Sequence, residues 1–412
     1  MPTITQHDRE ILRTLAAHQQ DLAHSTENER ILQKWNDLAA GKRGTPTMRF
    51  LVSNFVNETI WPRMRCEGPD ARRLEQRLLT ISAGRDLFGD DTPIPSEFTV
   101  QLPIWASPFG NTPNRIRAEG ENAKGYHIEP IIADLEEDFD KILPGSFGAR
   151  PEAAQAEAAL ADEIFGDILP AKIVMASLTG AITNPLVHLM GMENYYMAMY
   201  DAPELLHKVM DSACSVYERY YDYLEAQVLL LPTTEFSPVA QESFAFNHEL
   251  PADRAVRTTD CWGFLESQET TAVSPETFDE FVFPYQDRLA RRFGLLSYGC
   301  CERVDEIWPQ ISRWKNLRKL SVSPFNNERQ VGEFLRGTNI VYYSKPRAEY
   351  VTNSGPLDED AIVRCFKEIA ESASGCILEV AQREVGTIYR DCDRGRRYVQ
   401  LAKETLEKYY KP

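Results

Sequence analysis

The chain has 412 residues, 45 Lys and Arg against 62 Asp and Glu, a net charge of −17, and is 43% hydrophobic and 10% aromatic. That apolar content rules out global disorder, and no apolar run approaches the roughly 20 residues of a membrane helix. The acidic balance argues against non-specific nucleic-acid binding, which needs a basic face. The N-terminus lacks the basic-then-apolar layout of a signal peptide, so the cytoplasm is the expected compartment. The eight Cys are then expected as thiols, buried, reactive or metal-bound, and not as disulfides.

In chain order, Ile11, Leu12, Leu15 and Leu22, then Ile31, Leu32, Trp35 and Leu38, recur at helical spacing, so residues 1–45 read as a helical extension. Gly41 to Thr47 breaks that pattern and leads to a strand over 48–56. From there strands and helices alternate. Further strands are expected at Phe98–Ala106, Ala171–Ala176, Trp262–Glu266, Leu295–Gly299, Leu317–Val322, Ile340–Tyr343 and Ile377–Ala381. The stretch 131–143 carries an apolar stripe opposite acids and reads as a surface helix. Asp201 and Glu204 have capping-box spacing ahead of a long helix through Tyr223. Ser274 with Pro275 starts another, running to about Arg292, and Asp358 a third that ends near Gly375. Roughly eight strands alternating with helices predict an α/β fold, a (β/α)8 TIM-like barrel over 46–412 with an insertion around 107–170. No G-x-G-x-x-G follows a strand and no P-loop is present, which counts against a dinucleotide-binding open sheet.

In such a barrel, chemistry belongs at the C-terminal ends of the strands. After Leu295–Gly299 come Cys300, Cys301 and Glu302. Two adjacent thiols beside a carboxylate suit a soft metal or a reactive thiol, or are simply small buried residues. Glu379 stands in an otherwise apolar strand, where a carboxylate is costly unless it is salt-bridged or bound to a metal. Alternation puts Glu379 and Ala381 on one face, and Leu378 and Val380 on the other. Glu266 and Glu269 follow another strand and suit an acid/base or ligand role. Lys345 and Arg347 deliver two cations to a strand end, fitted to an anionic substrate group. Asn54, Glu58 and Trp61 follow the first strand in the same way, and His248 lies in a loop. Trp61, Trp105 and Trp262 are candidate pocket walls.

Two stretches resemble the uroporphyrinogen decarboxylase superfamily. The first runs from Leu178-Thr-Gly through Gly191-Met-Glu193 to Asp201-Ala-Pro-Glu204. The second is Thr277-Phe-Asp-Glu-Phe-Val-Phe-Pro284, followed by a strand ending Tyr298-Gly-Cys300-Cys301. The resemblance covers about 48–405 and implies a β/α barrel. Of the superfamily's two branches, the decarboxylases carry an Arg-Gln-Ala-Gly-Arg stretch that is missing here around Asn54 to Arg65. The zinc methyltransferases hold their metal through His-x-Cys-Gly and a Cys on the last strand. Here Tyr298 stands at the His position, Cys300 matches the Cys, Cys301 replaces the Gly, and Glu379 lies near the final Cys. The resemblance therefore implies a methyltransferase moving a methyl group between a small methoxylated or methylated substrate and a corrinoid protein, as in O-demethylation. Zinc would sit on Cys300, Cys301 and Glu379, with Glu266, Glu269 and Tyr298 as catalytic groups. A partner would carry the cobamide, and pairing into a homodimer fits the superfamily. The alternatives are a lyase or decarboxylase of a small acid without corrinoid, and a non-enzymatic binding protein on the same barrel.

Overall fold

In the computed structural model, which describes residues 4–117, 126–246 and 248–412, seven strands form one sheet. Their order is Thr47–Phe50, Ile377–Gln382, Val341–Ser344, Leu317–Val322, Leu295–Tyr298, Trp262–Leu265 and Leu178–Thr179. Every neighbouring pair is parallel. Phe98–Gln101 pairs in parallel with Ala171–Val174, which leads through Met175 to Leu178–Thr179. Among the described residues no ladder joins Phe98–Gln101 to Thr47–Phe50. The expected eight strand positions are all present, but the ring of hydrogen bonds is open.

Side chains alternate across the sheet as a pleat requires. Leu296, Tyr298, Leu320, Tyr342, Leu378 and Val380 belong to the large apolar core shared with the helices. The other parity, with Lys319, Tyr343, Glu379 and Ala381, faces inward. What fills that interior is a two-stranded hairpin, Pro238–Val239 with Ser243–Phe244. Ser243 Oγ donates to Glu379 Oε1 at 2.6 Å, Lys319 Nζ donates to the Phe244 carbonyl at 2.9 Å, and Tyr343 Oη donates to the Gln241 carbonyl at 2.6 Å. Arg49 reaches the Glu242 carbonyl, and Val239 and Ala245 pack on Trp262 and Leu295. Groups from six strands thus converge on one hairpin, so the sheet is wrapped around it.

The helices Gln6–Ala23 and Thr26–Ala39 are capped by Thr5 and Ser25, which accept from Asp8 N and Asn28 N. The second closes one end of the sheet: Trp35 packs on Phe244 and Phe246, and Leu38 on Val341 and Ile377. Ser274 and Asp358 cap their helices as expected. The long helix Pro203–Ala226 starts without the expected box, because Asp201 is still the last residue of Met192–Asp201 and Ala202 takes the cap position. The helix after Ser274 is split in two at Val282. The expected strand 98–106 divides as well: Ile104–Phe109 leaves the barrel to pair antiparallel with Pro144–Ala149 inside the insertion. The stripe at 131–143 makes only one turn of α-helix, Leu135–Asp138, and a 3-10 turn. No helix of the described residues is long and apolar enough to cross a membrane.

Candidate active site

The strand Leu295–Tyr298 ends at Gly299, whose φ is +100°. A Cβ there would lie 3.3 Å from both Ser321 Cβ and Val304 Cγ1, so glycine supplies a conformation and a clearance that other residues lack. This turn presents Cys300 and Cys301 at the C-terminal edge of the sheet. Their sulfurs are 3.8 Å apart, and the Cys301 sulfur is 3.9 Å from Glu384 Oε1. The loop is held from below by Glu302, almost fully buried, whose carboxylate accepts from Cys300 N at 2.5 Å and Ser267 N at 2.8 Å. Ser321 and Ser323 donate to the Cys300 and Cys301 carbonyls at 3.2 and 3.1 Å.

Lys345, 5% exposed, donates to the Cys300 carbonyl and, at 2.7 Å, to Gln241 Oε1. Arg383 donates to the same amide oxygen at 2.6 Å. The tip of the internal hairpin therefore lies between two cations and the thiol loop. The two sulfurs lie within hydrogen-bonding distance of one another. Cys300 donating to Cys301, helped by the nearby Lys345 ammonium, lowers the Cys301 thiol, while the same bond and burial push Cys300 up. Glu266 is raised well above the usual carboxylate range by burial first, then by Glu269 and Glu302. Burial also raises Glu302, against its backbone donors. A lowered thiol, Cys301, and a raised carboxyl, Glu266, thus belong to one cluster through Cys300 and Glu302, and these are the kinds of group that nucleophilic attack and general-acid assistance require.

Other expected site residues lie elsewhere. Both oxygens of Glu379 are engaged deep in the barrel, by Ser243 and by Lys319 Nζ at 2.8 Å, not by the thiols. Tyr298 has the parity of Leu296 and points into the helix layer. Its ring centroid is 5.1 Å from that of Trp314, and its hydroxyl is 2.8 Å from Ser267 Oγ. Glu269 accepts from Thr183 Oγ1 at 2.8 Å and Asn184 Nδ2 at 2.7 Å, tying a helix start to the loop. Glu58 receives Ile388 N and Arg390 N, each at 3.0 Å. His248 meets Asn36 at 3.1 Å on the surface. Trp262 is buried in the barrel with Lys319 Nζ 5.9 Å from its ring, whereas Trp105 is exposed beneath Arg150 on the insertion. Asn54 and Trp61 are exposed beyond the first strand. Arg347 is half-exposed, 3.9 Å from Glu349.

A zinc site on Cys300, Cys301 and Glu379 does not fit this arrangement. Among the described residues no three of His, Cys, Asp and Glu stand where they could share a metal ion, and the Glu379 oxygens already hold Lys319 and Ser243. Gln241, Arg383 and Glu384 enter the site unforeseen. Gln241 and Glu242 form the hairpin tip at φ +65° and +64°, where sequence normally advertises Asn or Gly.

No family model and no curated protein matches the chain by sequence. By fold, it is similar to a methyltransferase from Methanosarcina mazei, with a TM-score of 0.51 and 14% identity over 91% of this chain and 98% of that one. It shows a weaker likeness to a B12-independent methionine synthase from Shewanella sp. W3-18-1, with a TM-score of 0.36 and 10% identity over 65% of this chain and 70% of that one. The first establishes a shared α/β architecture along nearly the whole chain.

Proposed function

We propose that this protein is a methyltransferase acting on a small methylated or methoxylated substrate at the C-terminal edge of its sheet. The observation that carries the reading is the cluster at that edge in which the lowered Cys301 thiol and the raised, buried Glu266 carboxyl both interact electrostatically with Cys300 and Glu302. The fold shared with the Methanosarcina mazei methyltransferase supports it. In the proposed step the Cys301 sulfur attacks the methyl carbon, the carbon–oxygen bond breaks, and Glu266 gives its proton to the departing oxygen. Lys345 stabilises the thiolate and Glu302 keeps the loop in position. The methyl group then passes to an acceptor, for which we propose a cobamide carried by a partner corrinoid protein. The step is written without metal because the donor set does not fit one.

The test is incubation with methyl-labelled methoxylated compounds, followed by intact-mass and peptide analysis. A gain of one methyl group at Cys301, absent in Cys301→Ser and discharged by reduced cobamide, is the expected result. Release of CO2 from a carboxylated substrate with no labelled Cys would replace this reading by a lyase. Loss of transfer on chelation, restored by zinc, would replace the metal-free step.

A further inference from the structure

A cavity of about 260 Å³ opens beside the strand Thr47–Phe50, on the side where no ladder joins it to Phe98–Gln101. It is bounded by that strand, by Thr80 and Ile81 of the helix Pro69–Ala83, by the segment before Phe98, and by the outer side of the internal hairpin. The thiol loop is not among its walls. The hairpin separates the two: Gln241 faces Lys345 and Cys300, while Glu242, Ser243 and Phe244 line the cavity.

The walls are largely apolar and partly aromatic, with Phe236, Phe244, Ile81 and Pro93 prominent. Arg49 is the one cation among them. Its guanidinium lies 4.6 Å from the Phe244 ring centroid, with Nε 3.3 Å from Thr92 Oγ1. Among the described residues no carboxylate lies within ion-pair distance of Arg49. The neighbouring Asp90 carboxylate is engaged by Phe50 N, Thr92 N and Thr92 Oγ1 at 2.8, 2.9 and 3.0 Å. Glu242 turns to Arg383 at 3.7 Å. Asp90 interacts electrostatically with Arg49 but is pushed up by burial, so a buried guanidinium with no carboxylate at ion-pair distance in an apolar cavity is complementary to a ligand with an apolar body and one planar anionic group. One cation with few further donors suits a carboxylate better than a phosphate. The volume, just under the roughly 300–1,000 Å³ of common ligand pockets, admits a single ring with short substituents and excludes a nucleotide.

We propose that this cavity binds a small apolar monocarboxylate, with its carboxylate on Arg49 and its body against Phe236, Phe244 and Ile81. The inference does not rest on the methyltransferase reading, because its readout is equilibrium binding. Titration calorimetry of the full chain with benzoate and with benzamide, the same shape without charge, tests it. Benzoate binding at least ten-fold tighter than benzamide is expected. Arg49→Met should abolish that preference. Because Arg49 also ties the hairpin, the decisive variant is Thr80→Trp, on the exposed helix face at the mouth, which should weaken benzoate at least ten-fold with the fold intact. No benzoate binding at millimolar concentration, equal binding of the two probes, or unchanged affinity in Thr80→Trp would each overturn the proposal.

Discussion

Lys319 and Glu379 are each about 2% exposed or less, and they meet at 2.8 Å with Ser243 bridging them. Burial pulls the Lys319 ammonium below its usual range, and Glu379 offsets only part of that pull. Removing one partner leaves a bare charge in the barrel. Glu379→Gln or Lys319→Met should each cost about 3–5 kcal/mol, whereas the double replacement Lys319→Met with Glu379→Leu should cost clearly less than the sum. Chemical denaturation of the three variants checks this. Glu266 makes a pH prediction. Its folded pKa lies above the unfolded value near 4.5. The folded protein therefore binds the extra proton in the window above that value, and stability falls as pH rises through it. Denaturation midpoints followed from mildly acid to mildly basic pH should decline, and Glu266→Gln should flatten the decline. If the proposed chemistry holds, methyl transfer should be bell-shaped in pH, rising with Cys301 ionisation and falling with loss of the Glu266 proton.

At the scale of elements, the hairpin departs most from what its sequence suggests. Strand parity on Ile377–Ala381 was legible from alternation alone, as were the Ser274 and Asp358 caps. The hairpin was not, because Gln241 and Glu242 occupy left-handed conformations with no Gly or Asn to announce a tight turn. Lys319 was the missed clue: a cation inside an apolar strand needs a partner as much as Glu379 does, and the two charges lie two strands apart. Because the tip is strained, Glu242→Gly should be more stable than Glu242→Ala by about 1–2 kcal/mol, measured by thermal or urea unfolding. A reversed order would show that the backbone there is not left-handed.

For the whole molecule, the alternation of strands and helices was enough to anticipate all eight strand positions, since continuous apolar runs mark parallel strands. It could not reveal the opening beside Phe98–Gln101, because pairing depends on where the chain turns away, and Ile104–Phe109 turns into the insertion. Nor could it separate a thiol pair at the edge from a carboxylate buried below it, since both follow strands of the same sheet. The opening has a measurable effect. Amides of Phe98–Gln101, paired on one side only, should exchange with deuterium before those of Leu317–Val322, paired on both.

The order of the chain adds a last consequence. Five of the seven sheet strands lie after residue 244, so during synthesis the hairpin leaves the ribosome ahead of most of the wall that encloses it. It can serve as a mandrel, with Arg49 waiting on one side and Lys319, Tyr343 and Glu379 arriving later to be wound on. A protein translated with this segment moved to its C-terminus would have to thread the same piece into a finished shell, and should refold far more slowly than the natural order allows.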